Sequence, residues 1–207
     1  MLIVFEGVDG CGKSTQYARY KSELTRRGTE YLPLSFPRYE EKSSALIKMY
    51  LGGELGGSPD AVNAFAASSF YAVDRYASFV SGWSEDYNAG RLIVTDRYTT
   101  SNAIHQGAKL AAEERADYFR WLKDYEFRKI GLPEPDLTLY FRISAELSAE
   151  RISARGQKKD IHERDINYLK RCVQSADAAA DYFGWRIIDA SNTEEKVFQE
   201  VICKCPI

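Results

Sequence analysis

The chain has 207 residues, 28 lysines and arginines against 30 aspartates and glutamates, a formal net charge of −2 and a sequence pI near 5.8. That length suits one α/β domain over residues 1–207, and the near balance of charge leaves no excess of cations to track a phosphate polymer, so nucleic acid is not an expected partner. No apolar run approaches the roughly 20 residues a membrane span needs, no basic n-region precedes the first apolar run, and Cys11, Cys172, Cys203 and Cys205 form no C-x-x-C pair; the expectation is a mature, soluble, cytoplasmic protein with neither a zinc site nor a disulfide framework.

Leu2-Ile3-Val4-Phe5 is a short apolar run that ends at Glu6-Gly7, the pattern of a strand buried on both faces. A helix is predicted over Ser14 to Arg27, closed by Gly28, and then a strand over Glu30 to Ser35. Helices follow at Ser44 to Tyr50 and Asp60 to Ser81, joined by the turn-rich Gly52 to Pro59. The third strand is read at Arg91 to Thr95, with helices at Thr100 to Gln106 and Ala112 to Lys129. Leu137 to Ile143 is the fourth strand, Ala145 to Ser153 and Glu163 to Phe183 are helical, Trp185 to Asp189 is the fifth strand, and Thr193 to Cys203 is the last helix. Strands that alternate with helices in this way imply an α/β fold: a five-stranded parallel sheet covered on both faces, with ligands at the carboxyl ends of the strands.

Gly7-Val8-Asp9-Gly10-Cys11-Gly12-Lys13-Ser14 fits G-x-x-x-x-G-K-[ST] between the first strand and the first helix, the position a P-loop requires. Glycines let successive N–H groups curl around an anion, and the helix N-terminus adds partial positive charge. Lys13 then reaches the β- and γ-phosphates of ATP, the Ser14 hydroxyl can ligate Mg²⁺, and Thr15 offers a further hydroxyl. Cys11 lies beside Lys13 and a helix N-terminus, surroundings that lower a thiol pKa; it reads either as a reactive cysteine that ATP would protect or as a small filler.

A P-loop alone does not select a reaction, but four further blocks do. They are Phe36-Pro37-Arg38 after the second strand, Asp96-Arg97-Tyr98 after the third, Gly131-Leu132-Pro133-Glu134-Pro135-Asp136 before the fourth, and Tyr71-Ala72-Val73-Asp74-Arg75 on the long third helix. With Gly7-Val8-Asp9, these resemble thymidylate kinases over most of the chain and in the right order. The resemblance implies a P-loop NTPase fold with a lid segment and transfer of the γ-phosphoryl group of ATP to dTMP, with Mg²⁺, for dTDP biosynthesis. It implies that Asp9 accepts a hydrogen bond from the deoxyribose 3′-OH and that Arg97 and Arg38 hold the acceptor phosphate, as planar guanidinium groups do well. Phe36, Ser101, His105 and Gln106 belong to the same acceptor set, and Asp96 to the Mg²⁺ shell through water. His105 stands where the family usually has Tyr or Phe. Tyr71 and Arg75, four apart on one helical face, could stack on thymine and bond its exocyclic oxygen, with Phe70 as the alternative ring. A homodimer through the Asp60 to Ser81 helix is also implied.

Arg151 to Asp160 is a basic segment with a glycine bend, where the family carries its lid. Position 10 is glycine and the loop holds no arginine, so the lid is expected to supply the cation that meets the γ-phosphate: Arg155 first, Arg151 second, with Lys158 as a third candidate. Two other readings stay in play. A deoxynucleoside kinase would need a carboxylate base and usually reads Glu-Arg-Ser at the third strand; a nucleotide switch or ATPase module would keep the P-loop without the acceptor pocket. The nearest match to a guanine reader, Gln157-Lys158-Lys159-Asp160, has the wrong first residue.

Overall fold

The computed structural model describes residues 1–154 and 165–205. Five strands form one parallel sheet in the order β2-β3-β1-β4-β5. They are β1 (Leu2–Glu6), β2 (Tyr31–Ser35), β3 (Leu92–Asp96), β4 (Leu137–Arg142) and β5 (Arg186–Asp189). Every residue of β1 is buried. Ile3 and Phe5 belong to the larger core cluster, whereas Leu2 and Val4 join Phe36, Trp83, Ile93 and Tyr98 in the smaller one. This alternation places the central strand between two apolar layers, and each fully buried side chain of this size contributes about 1.5–3 kcal/mol. β2 and β5 are the edges and carry exposed residues accordingly.

Nine α-helices cover the sheet among the described residues: α1 (Lys13–Arg26), α2 (Ala45–Gly52), α3 (Ala64–Ser78), α4 (Ser84–Asn88), α5 (Thr100–His105), α6 (Arg115–Lys123), α7 (Ala145–Ala154), α8 (Ile166–Phe183) and α9 (Glu194–Lys204). α1 buries Lys13, Gln16, Tyr17, Tyr20 and Leu24, a stripe at three- and four-residue spacing. Asp165 caps α8, accepting from the N–H groups of Asn167 and Tyr168 at 2.8 and 3.1 Å, and Gly184 ends that helix in the left-handed conformation.

Two expected helices are more divided than their periodicity suggests. The Asp60 to Ser81 stretch opens as a 3₁₀ turn over Pro59–Ala61, breaks at the extended Val62, and restarts at α3, where the Asn63 side chain accepts the Ala66 N–H at 2.9 Å. It then runs past Ser81 through a π turn, Phe79–Trp83, into α4. The Ala112 to Lys129 stretch is a 3₁₀ turn, then α6, then a π turn over Asp124–Lys129. That second π turn carries Glu126, which is fully buried, in keeping with the concentration of π turns at functional places.

The topology brings three loops together at the carboxyl ends of β1, β3 and β2. Residues 7–12 follow β1, residues 97–99 follow β3 beside it, and residues 36–38, with a cis Phe36–Pro37 bond, follow the edge strand β2. The buried Asp74 of α3 ties down this last loop, accepting from the Arg38 N–H at 2.9 Å and the Ser43 hydroxyl at 2.6 Å.

Candidate active site

The glycine-rich loop enters α1 without an acidic residue in the first turn and without a side-chain cap, which leaves the helix N-terminus to an anion. α7 lies against the loop: the Ser148 hydroxyl donates to the Asp9 carbonyl. Gly10 has φ +78°, and a Cβ there would meet the Ser148 carbonyl oxygen at 2.6 Å. Both the backbone and the space forbid a side chain at position 10, so the loop has no room for an arginine of its own at that point.

Cys11 departs from the reactive reading. It is 2 % exposed, packed where any Cβ on Gly7 would come within 2.8 Å of its sulfur. Burial raises its thiol pKa, and the opposing pull of Lys13 does not cancel that effect. The charge environment was legible; the burial that outweighs it was not.

Arg97 is the one described non-glycine residue with positive φ, +68°. Its N–H bonds Phe5 O at 3.0 Å and its carbonyl accepts the Thr95 hydroxyl at 2.7 Å, which hold the backbone in a conformation costing of order 1–3 kcal/mol. The guanidinium donates through Nη2 to Asp9 Oδ1 and through Nη1 to His105 Nε2 at 3.1 Å, with Ser101 Oγ at 3.4 Å. Lys13 Nζ lies 3.9 Å from the same Asp9 oxygen. Behind them Glu6, fully buried and 3.6 Å from Arg97 Nη1, accepts from Thr100 and Ser101 hydroxyls, both at 2.7 Å. Burial alone would lower the Arg97 pKa, but Asp9, Glu6 and Asp96 together hold it above its ordinary value, so the cation is permanent. Glu6 was invisible as a site residue in the sequence, where it is only the end of an apolar strand.

Ser14 Oγ donates to Asp96 Oδ2 at 2.9 Å, and Asp96 Oδ1 is buried with no hydrogen-bond partner among the described residues. A hydroxyl and an under-satisfied carboxylate at the mouth of a phosphate loop are a donor set that fits a hard divalent cation, which takes its remaining ligands from phosphate and water.

A cleft beside this cluster is lined by Asp9, Phe36, Tyr71, Arg75, Arg97, Ser101, His105 and Gln106, and also by Asn102. Tyr71 faces it, whereas Phe70 is not among its lining residues and packs with Tyr50 and Ala67. The Arg75 guanidinium is held rigidly below the cleft, with Nε and Nη2 on Glu126 at 2.8 and 2.6 Å and Nη1 on Tyr98 O at 3.3 Å. Asn102 Nδ2 bonds the same Glu126 at 2.8 Å. Arg38 is placed elsewhere: its guanidinium bonds Ser78 Oγ at 3.1 Å and Glu41 at 2.9 Å, and it does not line the cleft.

On the other side of the loop a second groove joins Gly10, Gly12, Thr15 and Gln16 to Arg151 and Asn192. Arg151 donates to Ala190 O at 3.1 Å, which sets it against the segment after β5 rather than free over the loop. Gln16 and residues 190–194 carry no sequence signature and are recognisable only by their place beside the glycines. Arg155 and Lys158, the other two cation candidates, lie outside the described residues. A cavity of about 540 Å³ near Asp136, Trp185 and Arg186 lies at the opposite ends of β4 and β5; it is lined by Glu134, Pro135 and Asp136 of the block before the fourth strand, but by none of the candidate catalytic, nucleotide-binding or metal residues.

The family model described as thymidylate kinase matches residues 5–201. Among curated relatives, a thymidylate kinase of Mycobacterium tuberculosis is 32% identical over 201 residues, covering 92% of both chains. One from a Synechococcus strain is 30% identical, covering 96% of this chain and 92% of the relative, and one from Bifidobacterium longum is 27% identical, covering 97% and 95%.

Proposed function

The chain belongs to the thymidylate kinase family, and from that premise we infer that the cleft between Asp9 and Tyr71 receives dTMP while the loop from Gly7 to Ser14 holds the phosphates of ATP. The reaction is transfer of the γ-phosphoryl group of ATP to dTMP, giving dTDP and ADP. One observation carries the residue assignment: Arg97, turned by its positive φ out of the β3 ladder, meets Asp9 within the same loop that presents Lys13. The donor and acceptor anion sites therefore adjoin.

A phosphate monoester with a second pKa near 6 is largely dianionic at neutral pH, so the acceptor arrives as a nucleophile and needs no general base. What remains is to align two anions and offset their repulsion. Lys13 serves the donor phosphates, and Arg97 takes the acceptor phosphate with its fork. As Arg97 turns to the phosphate, Asp9 is released toward the sugar 3′-OH. Tyr71 gives the base a face, and Arg75 and Asn102, both fixed by Glu126, give its edge a rigid polar wall. Mg²⁺ would be held by Ser14 directly and Asp96 through water, where it would screen charge on the donor phosphates; stripping it with a chelator should abolish turnover. Arg151 borders the donor groove; the other two cations considered for the γ-phosphate, Arg155 and Lys158, lie outside the described residues.

α3 and the turn after it expose Val73, Tyr76 and Val80 at 50, 45 and 57 %, spaced along one face. A second copy of the chain covers them in a cytoplasmic homodimer, for which light scattering should return twice the chain mass of 23.5 kDa; a monomeric mass would contradict it.

The test of the site is Arg97→Ala, assayed with dTMP and saturating ATP. Removing a preorganised donor to the reacting phosphate costs about 2.7–4 kcal/mol, so kcat/KM for dTMP should fall roughly 10²- to 10³-fold while ATP affinity stays near wild type. A fall of under about threefold in a folded variant would remove Arg97 from the reaction.

A further inference from the structure

His105 sits at the end of α5, 7 % exposed, between the acceptor arginine and α8. Its Nε2 is 3.1 Å from Arg97 Nη1. A guanidinium can only donate, so Nε2 must present its lone pair and the ring proton belongs on Nδ1. On that side Cys172 Sγ lies at 3.7 Å, and the Tyr168 hydroxyl donates to the His105 carbonyl at 2.7 Å. Cys172 and Tyr168 are four residues apart on one face of α8, so ring and backbone are fixed from the same helix. Family resemblance leads one to expect an aromatic ring here that packs only; this chain has a ring that also accepts a hydrogen bond.

We propose that His105 is a positioning residue for Arg97: as the neutral Nδ1–H tautomer it holds the Nη1 edge of the guanidinium, and a second proton on the imidazole loosens the acceptor-phosphate site. The inference rests on the assignment of Arg97 to the acceptor phosphate. Among the described residues, the groups that meet His105 are the Arg97 guanidinium from the loop after β3 and the Cys172 thiol from α8, both at the imidazole, and the Tyr168 phenol from α8 at the backbone carbonyl. Burial keeps both of these α8 groups neutral in the working range. Asp9 and Glu6 stand on the Arg97 side of the contact. An imidazolium would lose the acceptor and put two cations about one hydrogen bond apart, which displaces the guanidinium from its line toward the phosphate.

Two variants and one spectrum test this. His105→Phe keeps an aromatic ring without an acceptor; His105→Gln keeps an acceptor oxygen that does not titrate. At pH 8 the Phe variant should raise KM for dTMP about tenfold, the worth of one hydrogen bond to a charged group, with kcat less affected, and the Gln variant should recover part of that loss. Below the imidazole pKa, the ratio of kcat/KM for the Gln variant to that for wild type should climb by up to about tenfold per pH unit; titration of dTMP itself cancels in the ratio. Equal KM for the Phe and Gln variants, or a ratio flat from pH 5.5 to 8.5, would overturn the proposal. The chain has only two histidines, so nitrogen chemical shifts of the wild-type protein can read the tautomer directly, and an Nε2–H form at pH 8 would overturn it without any variant. If Arg97→Ala loses dTMP turnover while the ratio stays flat, the His105 inference fails and the site assignment stands; if Arg97→Ala retains turnover, both fail.

Discussion

Glu126→Ala should be the most damaging single change distant from the phosphates. Glu126 is 0 % exposed and accepts Arg75 Nε at 2.8 Å, Arg75 Nη2 at 2.6 Å and Asn102 Nδ2 at 2.8 Å. Arg75 is itself 2 % exposed, and its remaining bond to Tyr98 O does not neutralise it. Removing one partner of such a pair leaves an uncompensated buried charge, at about 3–5 kcal/mol. For a chain of this length each kcal/mol moves Tm by about 2–4 °C, so the midpoint should drop by about 6–20 °C. KM for dTMP should rise as well, because Arg75 and Asn102 line the cleft. Replacing the pair together, Arg75→Met with Glu126→Leu, removes both charges and should recover most of the lost stability but not the low KM. Calorimetry on the three variants with dTMP kinetics checks both parts. A Tm drop below about 3 °C for Glu126→Ala, or a double variant as unstable as the single, would refute the reasoning.

Two further predictions concern a thiol inside the glycine-rich loop and a lysine remote from it. Iodoacetamide on native protein at pH 8 should label the exposed Cys203 and leave the buried Cys11 protected with or without ATP; rapid, ATP-sensitive labelling of Cys11 would restore the reactive reading. Lys109 has its ammonium pushed down to about 8 by desolvation, with Asp60 opposing, and donates to Val62 O at 2.7 Å. Between pH 8 and the unfolded value near 10.4 the unfolded chain binds more protons, so stability contributed by this group rises with pH there and is missing below 8. Urea midpoints for wild type minus Lys109→Met should therefore increase from pH 7 to pH 9.5; a decrease would contradict the sign.

The parts of the site legible in the sequence are those whose chemistry requires consecutive residues. Gly7 to Ser14 and Asp96-Arg97 announce themselves because a phosphate cradle and its neighbouring strand end are local structures, and the alternation of strands and helices carries the sheet with them. Glu6, Asn102 and Glu126 were not legible because their roles depend on partners far along the chain: Glu6 on Thr100 and Ser101, and Glu126 on Arg75, fifty-one residues away. The π turn over Asp124–Lys129 was read as plain helix, and the one over Phe79–Trp83 as helix up to Ser81, because one inserted residue shifts the helical phase without changing composition. Cys11 shows the same limit from the other side. A charge environment can be read from neighbours in sequence, whereas desolvation is set by what folds over the group.

The central claim is that one cleft accepts a thymidine monophosphate beside the phosphates of ATP. ADP release measured with ATP and Mg²⁺ against dTMP, dUMP, dCMP, dGMP and thymidine in turn tests it most directly. Turnover with dTMP and none with thymidine is the predicted result, since on the proposed assignment Arg97 needs a phosphate to grip and the acceptor must arrive as an anion. Turnover with thymidine alone, or hydrolysis indifferent to every acceptor, would contradict it.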